Sequence, residues 1–283
     1  MAETAYVGID GVAREIETGY VGVNVLQTVG ALPVGTVVKI KVNGKNTDFI
    51  VVHQGNPDAT IYDSSCDGTW LLMKGGYVHQ QWATAYNNDY HTSYLHSYLN
   101  NEFFSLLDSG VQAIVKQVKI PYAGLDGDPF ADYYGANGLT AKVFALSCKE
   151  MGETATVSYY LKAEGALLDY FISGRTEEAS AKRYAEWSMG SGAIDYWTRS
   201  IYNSTYVHYI LNYNTTTVGN VSKTGMVNTA TVRPAMILPA STGIKNGIID
   251  GSAATYAQVA KRITKAYVGV NGVAKLVWKG MIE

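Results

Sequence analysis

Cysteine, proline and net charge are all scarce in this chain. Only Cys66 and Cys148 occur among 283 residues, with six prolines. Two distant thiols do not make a disulfide framework, so the fold must rest on an ordinary core. The pair is read as buried free thiols, with a single bridge left open. Lys and Arg number 22 against 24 Asp and Glu, a formal charge of −2, and no basic run interrupts the balance. That removes the electrostatic case for nucleic acid and for an anionic membrane surface. No apolar stretch approaches the roughly 20 residues of a membrane helix, so no membrane insertion is expected. Met1-Ala-Glu-Thr lacks a basic region followed by an apolar run, so no secretory leader is expected. Synthesis in a cytoplasm follows, with any export by another route.

Tyrosine, by contrast, is abundant. There are 22 Tyr against six Phe, a bias that favours surfaces and interfaces over a greasy interior. The polar residues concentrate between Asp195 and Thr229, where Tyr, Asn, Ser, Thr, His and Asp make up most positions. Apolar anchors fence this segment: Trp197 opens it, and Val232-Arg-Pro-Ala-Met-Ile-Leu-Pro239 closes it. Two readings stand. One is a binding surface, in which Tyr gives contact area at low entropy cost and Asn and Ser give adaptable hydrogen bonds. The other is a Thr/Tyr-rich sheet face exposed to solvent.

The two ends repeat each other. Ala5-Tyr-Val-Gly-Ile-Asp-Gly-Val-Ala-Arg14 matches Ala266-Tyr-Val-Gly-Val-Asn-Gly-Val-Ala-Lys275, and Gly19-Tyr-Val-Gly-Val-Asn24 is a partial third copy. Asp-Gly or Asn-Gly between β-formers predicts a two-residue hairpin. One hairpin alone is marginal in water, so the end copies should pair with each other, with the central region or with another subunit. Three segments follow: 1–34, an attachment hairpin; 35–242, a central domain; and 243–283, a linker and hairpin. In the centre, alternation predicts a hairpin from Thr36–Val42 and Thr47–His53 around Asn43-Gly44, and Trp70–Met73 reads as a buried strand. Apolar spacing predicts a helix over Ser93–Leu107, with Ser93 as N-cap. A second short helix is expected over Val111–Val118, a loop over Ala123–Pro129, a strand over Ala141–Ser147 and a helix over Lys182–Trp187. Short strands, two helices and long loops make this α+β. Tyr202, Ser204, Tyr206 and His208 would share a face if their stretch is a strand.

Three features together resemble a known family. They are Trp70-Leu-Leu-Met near a hairpin; the helix around His96-Ser-Tyr-Leu-Asn-Asn-Glu-Phe103 with Val118-Lys-Ile-Pro121; and Tyr196-Trp-Thr-Arg-Ser200 with Val232-Arg-Pro-Ala-Met-Ile-Leu238. Over about residues 35–240 they look like an uncharacterised domain of gut bacterial surface proteins and phages. That domain is similar to the C-type-lectin-like fold, in the branch near formylglycine-generating enzymes. One group within the fold carries a C-terminal segment varied by diversity-generating retroelements, which mutate template adenines. Asn codons beginning with two adenines then scatter to Tyr, Asp, Ser, Thr, Ile and His. Segment 195–230 resembles such a variable region, as in phage receptor-binding proteins. The terminal repeats also resemble short modules of phage tail and minor structural proteins.

Enzymatic readings find little support in these residues. A formylglycine-type oxidase needs a pair of catalytic cysteines, and Cys66 and Cys148 do not match that motif. The calcium-lectin Glu-Pro-Asn, Gln-Pro-Asp and Trp-Asn-Asp signatures do not occur; Asn56-Pro57-Asp58 is a turn signal. Asp126, Asp128 and Asp132 offer oxygens for Ca²⁺, but a plain Asp/Gly loop is the simpler account. His91 and His96 miss the i, i+4 spacing of two helical ligands. His79 and His208 read as surface groups, and Glu177-Glu178 beside Arg175 as a solvated turn. No metal, cofactor or catalytic residue is expected.

The resemblance and the composition together imply a non-enzymatic receptor-binding protein on a phage tail or another extracellular surface. Its partners would be a bacterial surface protein or glycan and other virion proteins; a homo-oligomer, a trimer by analogy with fibres, is an open alternative. Trp197, Arg199, Arg233 and Pro234 would form the frame, the arginines tying loops through bonds to backbone or carboxylate. Contact residues would be Tyr202, Asn203, Ser204, Tyr206, His208, Tyr209, Asn212, Tyr213 and Asn214. A structural virion subunit and an oxidase remain as the alternatives.

Overall fold

The computed structural model describes residues 5–9, 12–16, 27–86, 89–126, 128–153, 164–188, 190–212, 219–251, 265–270 and 273–279. Strands predominate and the helices are short, so the chain is mixed α+β.

The larger sheet has six strands, in the order Val143–Phe144 (β12), Ala235–Leu238 (β17), Thr69–Met73 (β6), Lys45–Gln54 (β5), Val37–Val42 (β4) and Ile248–Ile249 (β19). Its β4–β5 hairpin forms where expected. Asn43 and Gly44 have φ of 48° and 74°, the positive values a two-residue primed turn demands. Along β4 burial alternates, with Val38, Ile40 and Val42 inward. Strands β6 and β17 are buried at every position, as central strands covered on both faces must be.

The second sheet has five strands: Asn220–Gly225 (β15), Tyr206–Leu211 (β14), Tyr196–Ile201 (β13), Thr229–Thr231 (β16) and His79–Gln81 (β7). Three two-stranded ribbons complete the centre: Gln27–Thr28 (β3) with Gly243–Ile244 (β18), Val118–Ile120 (β8) with Leu139–Ala141 (β11), and Tyr122–Asp126 (β9) with Asp128–Tyr133 (β10). The last ribbon corrects the loop expected at Ala123–Pro129. Gly and Asp content suggested a loop, but the flanking Tyr122 and Tyr133 stack at 4.9 Å across a paired register.

The chain ends do pair with each other. Ala5–Ile9 (β1) and Val12–Ile16 (β2) meet Lys265–Val270 (β20) and Val273–Lys279 (β21) in a four-stranded sheet of order β2-β1-β20-β21, with Tyr6 opposite Tyr267. The partial copy Gly19–Asn24 lies outside the described residues.

The long helical segment runs from Tyr94–Tyr98 (α1) through a π-helical turn at Leu99–Phe103 into Phe104–Leu106 (α2). Ser93 is its N-cap, with Oγ accepting from His96 N–H at 3.1 Å. Leu95, Tyr98, Leu99 and Phe103 face the core. The second helix is Ser109–Ile114 (α3), capped by Asp108, and it ends short of the expected Val118, which pairs in β8 instead. A third helix, Glu177–Arg183 (α4), replaces the one expected over Lys182–Trp187. Thr176 caps it, the acidic pair Glu177-Glu178 sits in its first turn and Lys182-Arg183 in its last, the arrangement the helix dipole favours. Glu177-Glu178 is therefore a helix start rather than a solvated turn.

One contiguous hydrophobic cluster joins the two large sheets and the helical segment. Gly76, between β6 and β7, packs tightly against the second sheet, since a Cβ there would meet Thr231 Cγ2 at 2.2 Å and Ile194 Cδ1 at 2.3 Å. Gly76→Ala should therefore cost about 1–3 kcal/mol through overpacking. Gly44→Ala has open space around it and should cost only the roughly 1 kcal/mol of a left-handed backbone. Urea denaturation of the two variants checks the order; equal losses would contradict the packing.

Candidate ligand-recognition surface

Strand β13 is buried at all six positions, Tyr196 to Ile201. Its register with β14 holds at Tyr196↔Ile210 and Trp197↔Tyr209, breaks, and resumes at Ile201↔Val207. The three residues in the break are held by other bonds. Arg199 N–H donates to Leu146 O, Thr198 Oγ1 to His208 O at 2.8 Å, and Ser200 Oγ accepts from Cys148 N–H at 2.9 Å. Trp82 Nε1 donates to Thr198 O and Trp197 Nε1 to Gln80 O.

Arg199 is wholly buried, and its guanidinium makes five hydrogen bonds. Its Nη1 and Nη2 each reach Glu150 at 2.6 Å, Nε donates to Pro121 O, Nη1 to Ala145 O and Nη2 to Glu164 O. Burial alone would lower the guanidinium pKa, but the Glu150 carboxylate more than offsets this and raises it. Tyr62 Oη donates to the same carboxylate at 2.7 Å, and Ser200 Oγ donates to Glu164. Arg233 repeats the design: Nε to Met73 O, Nη2 to Lys74 O, and Nη1 to Tyr196 Oη at 2.9 Å. Trp197, Arg199, Arg233 and Pro234, the residues expected to form a frame, are all buried. A third buried arginine, Arg183, had no sequence signal. It bonds Gly219 O, Met151 O and Gly174 O, with Glu153 at 3.7 Å.

Beyond Ile201 the chain turns at 202–205 and returns as β14. Asn203 Oδ1 accepts from Thr205 N–H at 2.9 Å and from Tyr206 N–H at 2.8 Å, so its side chain closes the turn. Because this turn intervenes, Tyr202, Ser204, Tyr206 and His208 do not share one strand face. Tyr202, Ser204 and Tyr206 do come together at the tip, Tyr206 being 42 % exposed. Lys223 on β15, opposite His208 in register, joins them: its Nζ lies 3.9 Å from the Tyr202 ring centre and donates to Tyr202 Oη at 2.7 Å. Gly225 stands opposite Tyr206 and leaves that side open.

The other expected contact residues separate from the tip. Tyr209 is half-buried on the reverse face of β14, edge-on to Trp197 at 6.3 Å. His208 and Asn212 are buried, which corrects both. The His208 ring packs beside Tyr202 at 5.3 Å, with Nδ1 3.3 Å from Ser222 O. Asn212 fastens the end of β14, its Nδ2 donating to Ile194 O and its Oδ1 accepting from Gly219 N–H. Tyr213 and Asn214 lie outside the described residues.

Cys66 and Cys148 are free and buried, and burial pushes both thiols up to about 12. Among the described residues no group of three His, Cys, Asp or Glu is placed to hold a metal ion, and no helix is long and apolar enough to cross a membrane.

Residues 67–240 match a domain of unknown function, DUF6273. The chain belongs to that family. No curated protein and no solved structure matches it. The DUF6273 span holds the buried arginines and the whole tip. It leaves out β4 and β5, which nevertheless complete the larger sheet.

Two predictions follow from the burial of these charges. Removing one partner of the Arg199–Glu150 pair strands the other, so Arg199→Met or Glu150→Leu should each cost about 3–5 kcal/mol. Arg199→Lys should recover little, because an ammonium cannot span five acceptors in a plane. Urea midpoints decide the matter; losses under about 1 kcal/mol would refute the pairing. The second concerns acid. Burial lowers the His208 pKa to about 4, whereas the unfolded imidazole titrates near 6.5. The unfolded chain therefore binds more protons between those values, and stability falls as pH drops from about 6.5 to 4, by about 3 kcal/mol in all. His96, lowered by burial to about 4 as well, acts in the same sense. Denaturation midpoints between pH 7 and pH 4 should decline, and His208→Gln should flatten the decline; an unchanged slope would place His208 in solvent.

Proposed function

We propose that this chain is a non-catalytic recognition protein that binds its target through the tip formed by Tyr202, Ser204, Tyr206 and Lys223. The observation that carries this reading is the contrast along one hairpin. Strand β13 is fully buried and anchored by Arg199, while around the turn that follows Ser204 and Tyr206 are exposed and the half-buried Tyr202 lies under the exposed Lys223 of β15. A rigid frame carrying amphipathic, exposed side chains is the usual build of a binding surface.

A C-type-lectin-like fold agrees with short antiparallel strands, short helices and an irregular, side-chain-tied β13. On the family resemblance, the target is a bacterial surface protein or glycan and the setting a phage tail or similar virion part. The terminal sheet made by both chain ends would attach the domain to other virion proteins. Retroelement diversification of segment 195–230 fits the same division, since exposed tip positions tolerate substitution and frame positions do not.

The structure makes that idea sharper than composition does. Sequencing the gene across its source population should find substitutions concentrated at Tyr202, Ser204 and Tyr206. Trp197, Arg199, His208, Asn212 and Arg233 should stay constant. Changes spread evenly over exposed and buried positions would reject diversification. For binding itself, labelled protein should adhere to bacterial cells from the same population. Tyr202→Ala and Tyr206→Ala should each weaken adhesion about 30-fold or more, the effect of losing a central aromatic anchor. Unchanged adhesion would remove this surface from the binding role. A collapse of oligomeric state in the same variants would instead mark the tip as a subunit interface.

A further inference from the structure

A second concave surface lies away from the tip, and none of the sequence features above points to it. It is a groove of about 530 Å³ between the β4–β5 hairpin, Lys74-Gly75 after β6, Tyr170, and residues 184–188 after α4. Its volume falls within the range of small-molecule sites, about 300–1,000 Å³.

The walls are fixed by backbone bonds. Lys74 N–H donates to Asp48 O at 2.9 Å, Gly76 N–H to Glu186 O at 2.9 Å, Ser188 N–H to Gly76 O at 3.0 Å and Tyr170 N–H to Val52 O at 3.0 Å. Gly75 has no space for a side chain, since a Cβ would stand 2.4 Å from Glu186 O. The groove is therefore preformed, and a ligand would not have to order it.

The lining combines three aromatic side chains, Tyr170, Tyr184 and Trp187, with two lysines and two carboxylates. The charges balance. Lys39 Nζ holds Asp48 Oδ1 at 2.6 Å, and Tyr184 Oη donates to Glu186 Oε1 at 2.7 Å. The exposed Lys74 and Asn46 complete the lining.

This chemistry selects among ligand classes. A polyphosphate or nucleic acid is opposed by two carboxylates and by the absence of any arginine in the lining. A wholly apolar ligand would leave the charged groups stripped of water. A neutral sugar satisfies both demands: its C–H face covers aromatic rings, and its hydroxyls pair with carboxylates, an amide and an ammonium. We propose that the groove formed by Tyr170, Tyr184, Trp187, Lys74 and Asn46 is a binding site for a neutral saccharide. It is separate from the tip and does not depend on the tip's role.

Saturation-transfer NMR on the full chain tests this with chitotriose, maltotriose and lactose, each at about 10 mM for a millimolar site. Sialyllactose and triglycine serve as anionic and zwitterionic arms. Transfer should be seen from at least one neutral sugar. It should weaken about tenfold in Trp187→Ala and in the exposed double variant Lys74→Ala/Asn46→Ala, and survive in Lys41→Ala, which lies on β4 outside the groove. Should Trp187→Ala fail to fold, the exposed double variant decides alone. No transfer from any neutral sugar, stronger transfer from sialyllactose or triglycine, or transfer unchanged in the double variant would each overturn the assignment.

Discussion

The structure depends on one buried ion pair. Arg199 and Glu150 sit in the interior with no exposed surface, joined by two short charge-assisted bonds. Taking two charges out of water costs several kcal/mol each, and the cost is offset only when every remaining donor finds a partner. Here they do: Pro121, Ala145 and Glu164 supply carbonyls to the guanidinium, and Tyr62 supplies a hydroxyl to the carboxylate. These partners come from parts of the chain far apart in sequence, most of them outside the two large sheets. A loop that enters the interior loses the ladder bonds a strand would have, and its carbonyls still need donors. A planar group with five donors is suited to that task. Arg183 and Arg233 do the same for Gly219, Met151, Gly174, Met73 and Lys74. The fold spans long irregular segments because three guanidinium groups replace the missing ladders.

That arrangement separates the anchored strand from the exposed tip. Full burial is interrupted at 202–206, where Ser204 and Tyr206 are exposed and Asn203 closes the turn, and it resumes at Val207. Substitution at Ser204 or Tyr206 removes little packing, so those positions are free to answer to a partner. The same logic places His208 and Asn212 on the side of the frame, although their residue types suit a contact surface. In a polar segment, polar side chains serve both purposes, and only burial distinguishes them.

How much of this was readable in the sequence varied with the physics of each signal. Local, periodic signals were legible. Asn43-Gly44 needed left-handed backbone and made the hairpin, and Ser93 capped the helix that its apolar spacing outlined. Trp197, Arg199 and Arg233 stand beside apolar residues and are buried. Signals set by distant partners were not legible. Glu150, Glu164 and Arg183 carry no spacing that marks a buried charge, because their partners lie far along the chain. The β13–β14 register was hidden by its break at 198–200, so strand parity assigned Tyr202 and Ser204 to a face they do not occupy. Helix α4 was misplaced for a different reason. Its acidic start was taken as solvated charge, although Thr176 ahead of Glu177-Glu178 is a cap followed by charges that suit the helix dipole. Lys223 joined the tip only because β15 pairs with β14, a long-range fact.

The frame also bears on the groove. Arg233 bonds Met73 O and Lys74 O, and Lys74 lines the groove. Through Tyr196, whose hydroxyl accepts from Arg233 and donates to Arg183 O, the same arginine reaches α4, whose end leads into the opposite wall. Strand β13, which sets the tip, and the groove walls are thus fixed to one another by bonds that involve no tip side chain. Two surfaces tied in this way can differ in how freely they change. Substitutions at Tyr202, Ser204 or Tyr206 would leave the groove geometry alone, because none of the bonds that shape it passes through them. A diversified tip and an invariant sugar site are therefore compatible on one body: the constant site would hold the protein near a glycan-coated surface while the variable tip selects among the partners displayed there. Such a division uses effective concentration rather than new contacts to raise affinity. It requires only what the arginine network already provides, a frame that does not move when the tip is changed.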